Sequence, residues 1–445
     1  MNEKRSERDY GGKALLPLLV FLGLYVGSGV VFLLLGTEKP FNMMSRYVAM
    51  LIGILVALFF YARDKTIEEK TDIYCSNAGR PGVMQLGLII LMAGAFASGA
   101  TAAGGKESIV NLGVSLIPSH FLVPGIFIMC AIISTCIGTS MGTLAAMIPV
   151  AFALADGAGL NPAMCGAACI GGSFFGDNLS MISDTTIAAT KGVGAEMKDK
   201  FRMNFLIALP AAIITVVLYA VLSMNTGTAS VIPGEYNILA CIPYIAVLAL
   251  AVAGLDVILV LAIGMGLSCV IGIITGACTF FEWAQQVSSG MEGMFWLAVF
   301  SMMTSGLVGL VRYYGGVDWL IRNITKFIKS RRSCEYVVGF LTFIVSTVIL
   351  NNTMAIMITA PIAKEMGESF KIAPKRLASL LDIGACSAIM LVPHGSAAMM
   401  VQEAANANYL EILPYLFYPF LLLLSTIITV QFGLMKDKSE KVIAK

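Results

Sequence analysis

The sequence predicts an all-α polytopic membrane protein: two inverted halves with about ten transmembrane helices, two re-entrant hairpins and two broken helices. Three observations predict it. First, 58% of the 445 residues are hydrophobic and 13% are charged, about half the ~25% charged residues of soluble domains. Second, apolar stretches of spanning length recur along the whole chain. Third, a constant offset of 212 residues lays unusual features of one half onto the other. The net charge of +2 does not point to a nucleic-acid partner. The expected surroundings are a lipid bilayer.

The apolar stretches lie near 14–35, 44–62, 84–103, 203–223, 237–253, 255–277, 292–311 and 412–434, each with most of the ~20 residues a membrane helix needs. The leading MNEKRSERDYGGK is charged and has no A-x-A-like cleavage site, so it reads as a retained cytoplasmic start. Ten cysteines are scattered through apolar runs without Cys/His metal spacing. They read as small core residues, Cys165 and Cys169 sharing one helix face.

Two kinds of region depart from simple spans. In 121–157 two short apolar arms meet at the polar joint Gly138-Thr139-Ser140-Met141-Gly142, and in 336–366 two arms meet at Asn351-Asn352-Thr353. Both suit hairpins whose tips stop at mid-depth. In 161–190 and 374–405 a helix starts after Pro162 or Pro374 and is interrupted, by GDNLS or by VPHGS. Non-helical backbone at membrane depth is tolerated where it is buried in protein or lines a cavity, so each break is a candidate site. The offset carries Ser134-Thr135 onto Ser346-Thr347, Pro149 onto Pro361, Pro162 onto Pro374 and Gly172 onto Gly384. The halves are therefore 1–223 and 235–434, followed by a cytoplasmic tail at 435–445.

Basic residues orient the chain. Clusters at Lys4 to Arg8, Arg63 to Lys70, Lys191 to Arg202, Arg322 to Arg332, Lys364 to Arg376 and 436–445 all fall on the cytoplasmic side when both hairpins are re-entrant. The loops 224–236, 278–291 and 406–411, with acids but no lysine or arginine, then fall outside; Lys39, Arg46 and Lys106 dissent. Both termini are cytoplasmic, and five crossings per half give the halves opposite orientations. The alternative is that every hairpin arm crosses fully; the short arms argue against it.

Inverted hairpins bring their tips together beside the broken helices. The acids expected at depth are Asp177, Asp184 and Asp382, and the bases reduce to His394, with no lysine or arginine. Thr139, Ser140, Asn178, Ser180, Ser183, Thr185, Asn351, Asn352 and Thr353 add hydroxyl and amide oxygens. Acids and oxygens without a buried cation favour a hard cation such as Na+, placed at Asp177 and Asp184. Dehydration favours the neutral form of a carboxylate, so a proton and a cation compete for one group. Structural roles stand beside these readings: Asp177 or Asp184 as helix caps, Asp382 paired near the Lys375-Arg376 helix end, His394 satisfying backbone at the break, and Asn351-Asn352-Thr353 as a turn.

The stretch FGDNLSMISDTT, Phe175–Thr186, resembles the NhaC-type sodium/proton antiporter family, within the broader ion-transporter superfamily. The family pattern is close to G-D-x-x-S-P-x-S-D-T. Gly176, Asp177, Ser180, Ser183, Asp184 and Thr185 match it, while Met181 stands in the proline position and the offset sets Pro393 opposite it. Asn352-Thr353 resembles the Ser-Asn-Thr tips of the superfamily's sodium-coupled carboxylate transporters, and Gly138-Thr139-Ser140 is a poorer match. The resemblance implies a secondary transporter exchanging cytoplasmic Na+ for external H+. It implies no cofactor beyond those ions, a homodimer held through scaffold helices, an elevator-like movement and a bacterial cytoplasmic (inner) membrane. Relatives of the family also resemble carriers of organic acids and amino acids, so a Na+- or H+-coupled carrier of a small carboxylate or amino acid is the second expectation. An enzyme is not expected, since two histidines offer no evident nucleophile–base pair or metal set.

Overall fold

The computed structural model describes residues 9–37, 43–116, 118–181, 183–225 and 236–435. The Lys4 to Arg8 cluster, Lys39, most of loop 224–236 and the tail 436–445 lie outside the described residues. Among the described residues every regular element is helical. The first half contains α1 (Gly11–Phe32), α2 (Arg46–Phe60), α3 (Ile67–Ala78), α4 (Pro81–Ala102), α5 (Gly105–Leu116), α6 (Ser119–Ile137), α7 (Ser140–Ala158), α8 (Pro162–Leu179), α9 (Asp184–Val193) and α10 (Met197–Asn225). The second contains α11 (Ile238–Val252), α12 (Val257–Thr275), α13 (Phe280–Tyr313), α14 (Gly316–Ile324), α15 (Arg331–Ile349), α16 (Asn352–Ser369), α17 (Pro374–Leu391) and α18 (Ser396–Ala405). It ends in α19 (Tyr409–Tyr415) and α20 (Phe417–Gln431), bent by 51° at Leu416.

Among the described residues, eight helices are long and apolar enough to cross a membrane, or nine if the bent pair α19–α20 counts as one span. Three shorter apolar helices accompany them. The described residues group into two compact units, each drawing on both halves of the chain. One comprises residues up to Gly87, Leu297–Ile328 and Val348–Leu350; the other comprises Leu88–Trp296, Lys329–Thr347 and the residues from Asn351 on. In the first, Tyr61 and Tyr314 stack with ring centroids 5.0 Å apart. Lys70, in an expected cytoplasmic cluster, instead turns inward and donates to the carbonyls of Leu58 and Tyr61 at the end of α2.

The second unit carries both breaks and nearly all of both hairpins, and here the 212-residue offset reaches atomic detail. Ser134 donates to the Ser173 carbonyl at 2.5 Å, and its counterpart Ser346 donates to the counterpart carbonyl, Ala385, at 3.0 Å. A Cβ at Gly172 would overlap the Phe127 carbonyl oxygen, and one at Gly384 that of Gly339, so glycine lets the same helix pair close twice. Both tips turn on a left-handed residue, Gly138 at φ 77° and Leu350 at φ 54°. Thr139 and Asn351 then cap α7 and α16 by accepting from Gly142 N and Met354 N.

One expectation changes, and one sequence difference between the halves leaves the backbone unaltered. The hairpin arms are helices of 18 or 19 residues, because the helices run on through polar ends such as Ser119 and Asp156. A 19-residue helix rises about 28 Å, close to the ~30 Å hydrocarbon core, so the argument from short arms does not hold. Nor does the break need proline. Residues 180–183 and 392–395 interrupt their helices over the same length. Ser180 (φ −70°, ψ 131°) and Val392 (φ −83°, ψ 118°) share one extended conformation, although Met181 stands where the second break has Pro393.

Gly172→Leu is expected to abolish recovery of monodisperse protein on detergent size-exclusion chromatography. Gly293→Leu, whose Cβ meets no neighbour among the described residues, should leave it intact.

Candidate ion-binding site

The site is assembled by the C-terminal end of α8, the break after it, the start of α9, the middle of α17, the start of α10 and the two hairpin tips. Asp177 lies in the last turn of α8, 2% exposed. Its Oδ1 accepts from the Ser183 hydroxyl at 2.6 Å, within the range of an O–H donating to a carboxylate. Ser183 in turn lies 2.9 Å from the Thr185 hydroxyl, and the Ser140 hydroxyl, at the first hairpin tip, also hydrogen-bonds Asp177. Among the described residues, the side chains that hydrogen-bond Asp177 are these hydroxyls. It does not cap α9; the cap position belongs to Ser183.

Asp184, expected to be buried, is exposed. It sits at the first position of α9. One oxygen accepts from Thr185 N at 3.0 Å and the other from the Thr353 hydroxyl at 2.6 Å. The tip Asn351-Asn352-Thr353 is thus a helix cap and a cross-link at once. Asn351 caps, Thr353 reaches Asp184, and Asn352 donates to Cys386 Sγ at 3.8 Å. Thr139 serves its own helix, accepting from Thr143 as well as Gly142. Asn178 and Ser180 are buried at the first break, and His394 is buried in the second, where Gln402 donates to the Pro393 carbonyl at 2.8 Å.

The expectation of no lysine at depth is overturned. Lys200 is fully buried and pairs with Asp382 at 2.7 Å, the side chains 1% and 0% exposed. Its ammonium also donates to the Thr186 hydroxyl at 2.7 Å and to the Asn178 carbonyl at 2.9 Å. Asn204 donates to that same carbonyl and to Asp382, and Ser379 holds Asn204 in place. Asp382 therefore does not pair with the Lys375-Arg376 end; Arg376 is engaged with Glu335 at 3.1 Å. Sequence reading missed Lys200 and Asn204 because they stand in the charged run MKDKFRMN. The available signal was their i, i+4 spacing on the face that continues as Ile207, Ala208, Ala211 and Thr215, all buried, while Arg202 on the other face is exposed.

A sequence profile described as the Na+/H+ antiporter family matches residues 5–224 and 228–436. The chain belongs to this family. It is a multi-pass membrane antiporter. It is similar to the Na+/H+ antiporter NhaC of Alkalihalophilus pseudofirmus, 22% identical over 74% of this chain and 77% of that one. It is also similar to NhaC of Bacillus subtilis, 26% identical over 85% and 89% of the two chains. A third relative is the arginine/ornithine antiporter ArcD of Halobacterium salinarum, 22% identical over 98% and 97%.

The charge pattern of the candidate site follows from the pairings. Lys200 balances Asp382. Asp177 and Asp184 keep hydroxyl partners, the first dehydrated and the second open. Breaking a buried pair from one side typically costs about 3–5 kcal/mol, whereas removing both charges is often near neutral. Lys200→Met should therefore lower the thermal unfolding temperature of the detergent-purified antiporter sharply, and adding Asp382→Asn should recover most of the loss.

Proposed function

We propose that this antiporter exchanges cytoplasmic Na+ for external H+ by alternating access, with Asp177 as the group the two ions share. The observation that carries this reading is the contrast between two buried carboxylates, Asp177 in the last turn before the first break and Asp382 brought beside it from the middle of α17. Asp382 has an ammonium partner; Asp177 has hydroxyls. A dehydrated carboxylate with neutral partners needs a counter-charge, and a proton or a sodium ion supplies it in turn. Hydroxyl and main-chain oxygens at a broken helix are the donors a hard cation takes. Asp184, exposed and linked to Thr353 of the opposite tip, is the second acid, placed to receive the ion before Asp177. Similarity to two Na+/H+ antiporters over most of both chains supports the choice of ions.

The direction and topology follow the basic clusters: termini and clusters on the cytoplasmic side of a bacterial inner membrane, halves of opposite orientation, hairpin tips at mid-depth. The unit with both breaks moves as the carrier, in a homodimer held by scaffold helices. A second reading, coupled exchange of an amino acid or small carboxylate, is favoured by the near-complete overlap with an arginine/ornithine antiporter. His394 and the Asn351-Asn352 tip would then face the solute.

In proteoliposomes under an imposed pH gradient, Asp177→Asn and Asp184→Asn should each reduce Na+-dependent proton flux to background while the protein stays folded. Normal flux in both would remove the carboxylate mechanism. Flux driven by arginine, ornithine or a carboxylate but not by Na+ would establish the second reading instead. For topology, Lys106→Cys should react with an impermeant thiol reagent from outside and Lys329→Cys from the cytoplasm; the opposite pattern inverts the orientation.

A further inference from the structure

We propose that the Lys200 ammonium is a built-in cation, permanently filling a second oxygen-lined position beside the one at Asp177, so that a single position per chain exchanges. The inference rests on Asp177 as the exchangeable position. The ammonium has three oxygen ligands of different kinds: the Asp382 carboxylate at 2.7 Å, the Thr186 hydroxyl at 2.7 Å and the Asn178 carbonyl at 2.9 Å. The carbonyl belongs to the last turn of α8, where main-chain oxygens have no partner within the helix. Carboxylate, hydroxyl and end-of-helix carbonyl are the donors that hold Na+ in broken-helix carriers. Asn204 donates to both the carbonyl and the carboxylate, which fixes the ligands in place around the ammonium.

The repeat shows that the fold does not need this pair. The 212-residue offset carries Lys200 onto Ile412, Asp382 onto Ile170 and Thr186 onto Ala398, and all three counterparts are buried. At the mirrored positions the side chains are thus apolar and buried, although the counterpart of α10 bends at Leu416. Apolar replacements of buried ion pairs are often neutral or stabilising, so packing alone does not account for charges in one copy and isoleucines in the other. Lysine and aspartate come from different halves of the chain, which makes the cluster an addition to the repeat rather than a part of it. Its effect is to hold Asp382 neutralised without a mobile ion, leaving Asp177 as the buried acid that a proton or Na+ must serve.

Equilibrium binding of radioactive sodium to purified protein tests this. Lys200→Ala should bind one more Na+ per chain than the parent, because the vacated oxygens now take the ion. Lys200→Ala with Asp382→Asn should bind the parent's number. The unfolding temperature of Lys200→Ala should rise with NaCl more than the parent's does, and not with choline chloride. Lys200→Ala binding the parent's number overturns the proposal, as does an extra ion that persists in the double variant. A Lys200→Ala protein that fails to fold even in molar NaCl also overturns it, since sodium then does not replace the ammonium. A parent that binds no Na+ sinks the proposed ion pair of the exchange and is read separately.

Discussion

A backbone carbonyl or amide without a partner costs several kcal/mol in hydrocarbon, and this chain interrupts two helices in its most buried unit. Everything in the candidate site follows from how those interruptions are satisfied. At the first break Lys200 and Asn204 converge on the Asn178 carbonyl. At the second Gln402 takes the Pro393 carbonyl. Side chains long enough to reach a broken helix end are polar or charged. Solving the backbone problem therefore brings polar chemistry into an apolar interior, and the candidate site grows out of that chemistry.

The two halves solve the same backbone twice and the chemistry once. Hydrogen bonds from Ser134 and Ser346, close approaches at Gly172 and Gly384, and equal breaks of residues 180–183 and 392–395 recur under one offset. The polar side chains of the candidate site do not. Asp177 faces Ile389 across the offset, Asn204 faces Leu416 and Ser379 faces Ala167. Repeated backbone supplies a framework with two openings, and sequence divergence gives one of them the charged groups of the candidate site. The buried pair of Lys200 and Asp382 spans the halves, so neither half carries the charge balance by itself.

The wrong readings share a cause. Lys200 was grouped with Lys198 and Arg202 because all stand in one charged run, yet a helix sends neighbours to different faces. Asp177 and Asp184 lie in one polar stretch, yet the chain resumes its helix at Asp184 and leaves that side chain exposed. The hairpin arms looked short because only their apolar stretches were counted, while helix continues wherever backbone bonds are kept. In each case a linear run of composition stood in for a direction in space.

Composition and hydropathy determined that the chain is helical and lives in a bilayer, because lipid admits few other ways of satisfying a backbone. The offset of 212 residues and the polar runs determined where the hairpins and breaks fall, since polar residues recurring at matched places in two apolar halves mark where backbone leaves the helix. The motif from Gly176 to Thr185 determined the family. Which carboxylate has a counter-ion was decided by tertiary structure alone. Asp177 and Lys200 lie roughly two hundred residues from Asp382 in sequence, and electrostatic partners are set by distance through space, which helix packing creates and no local run of residues encodes.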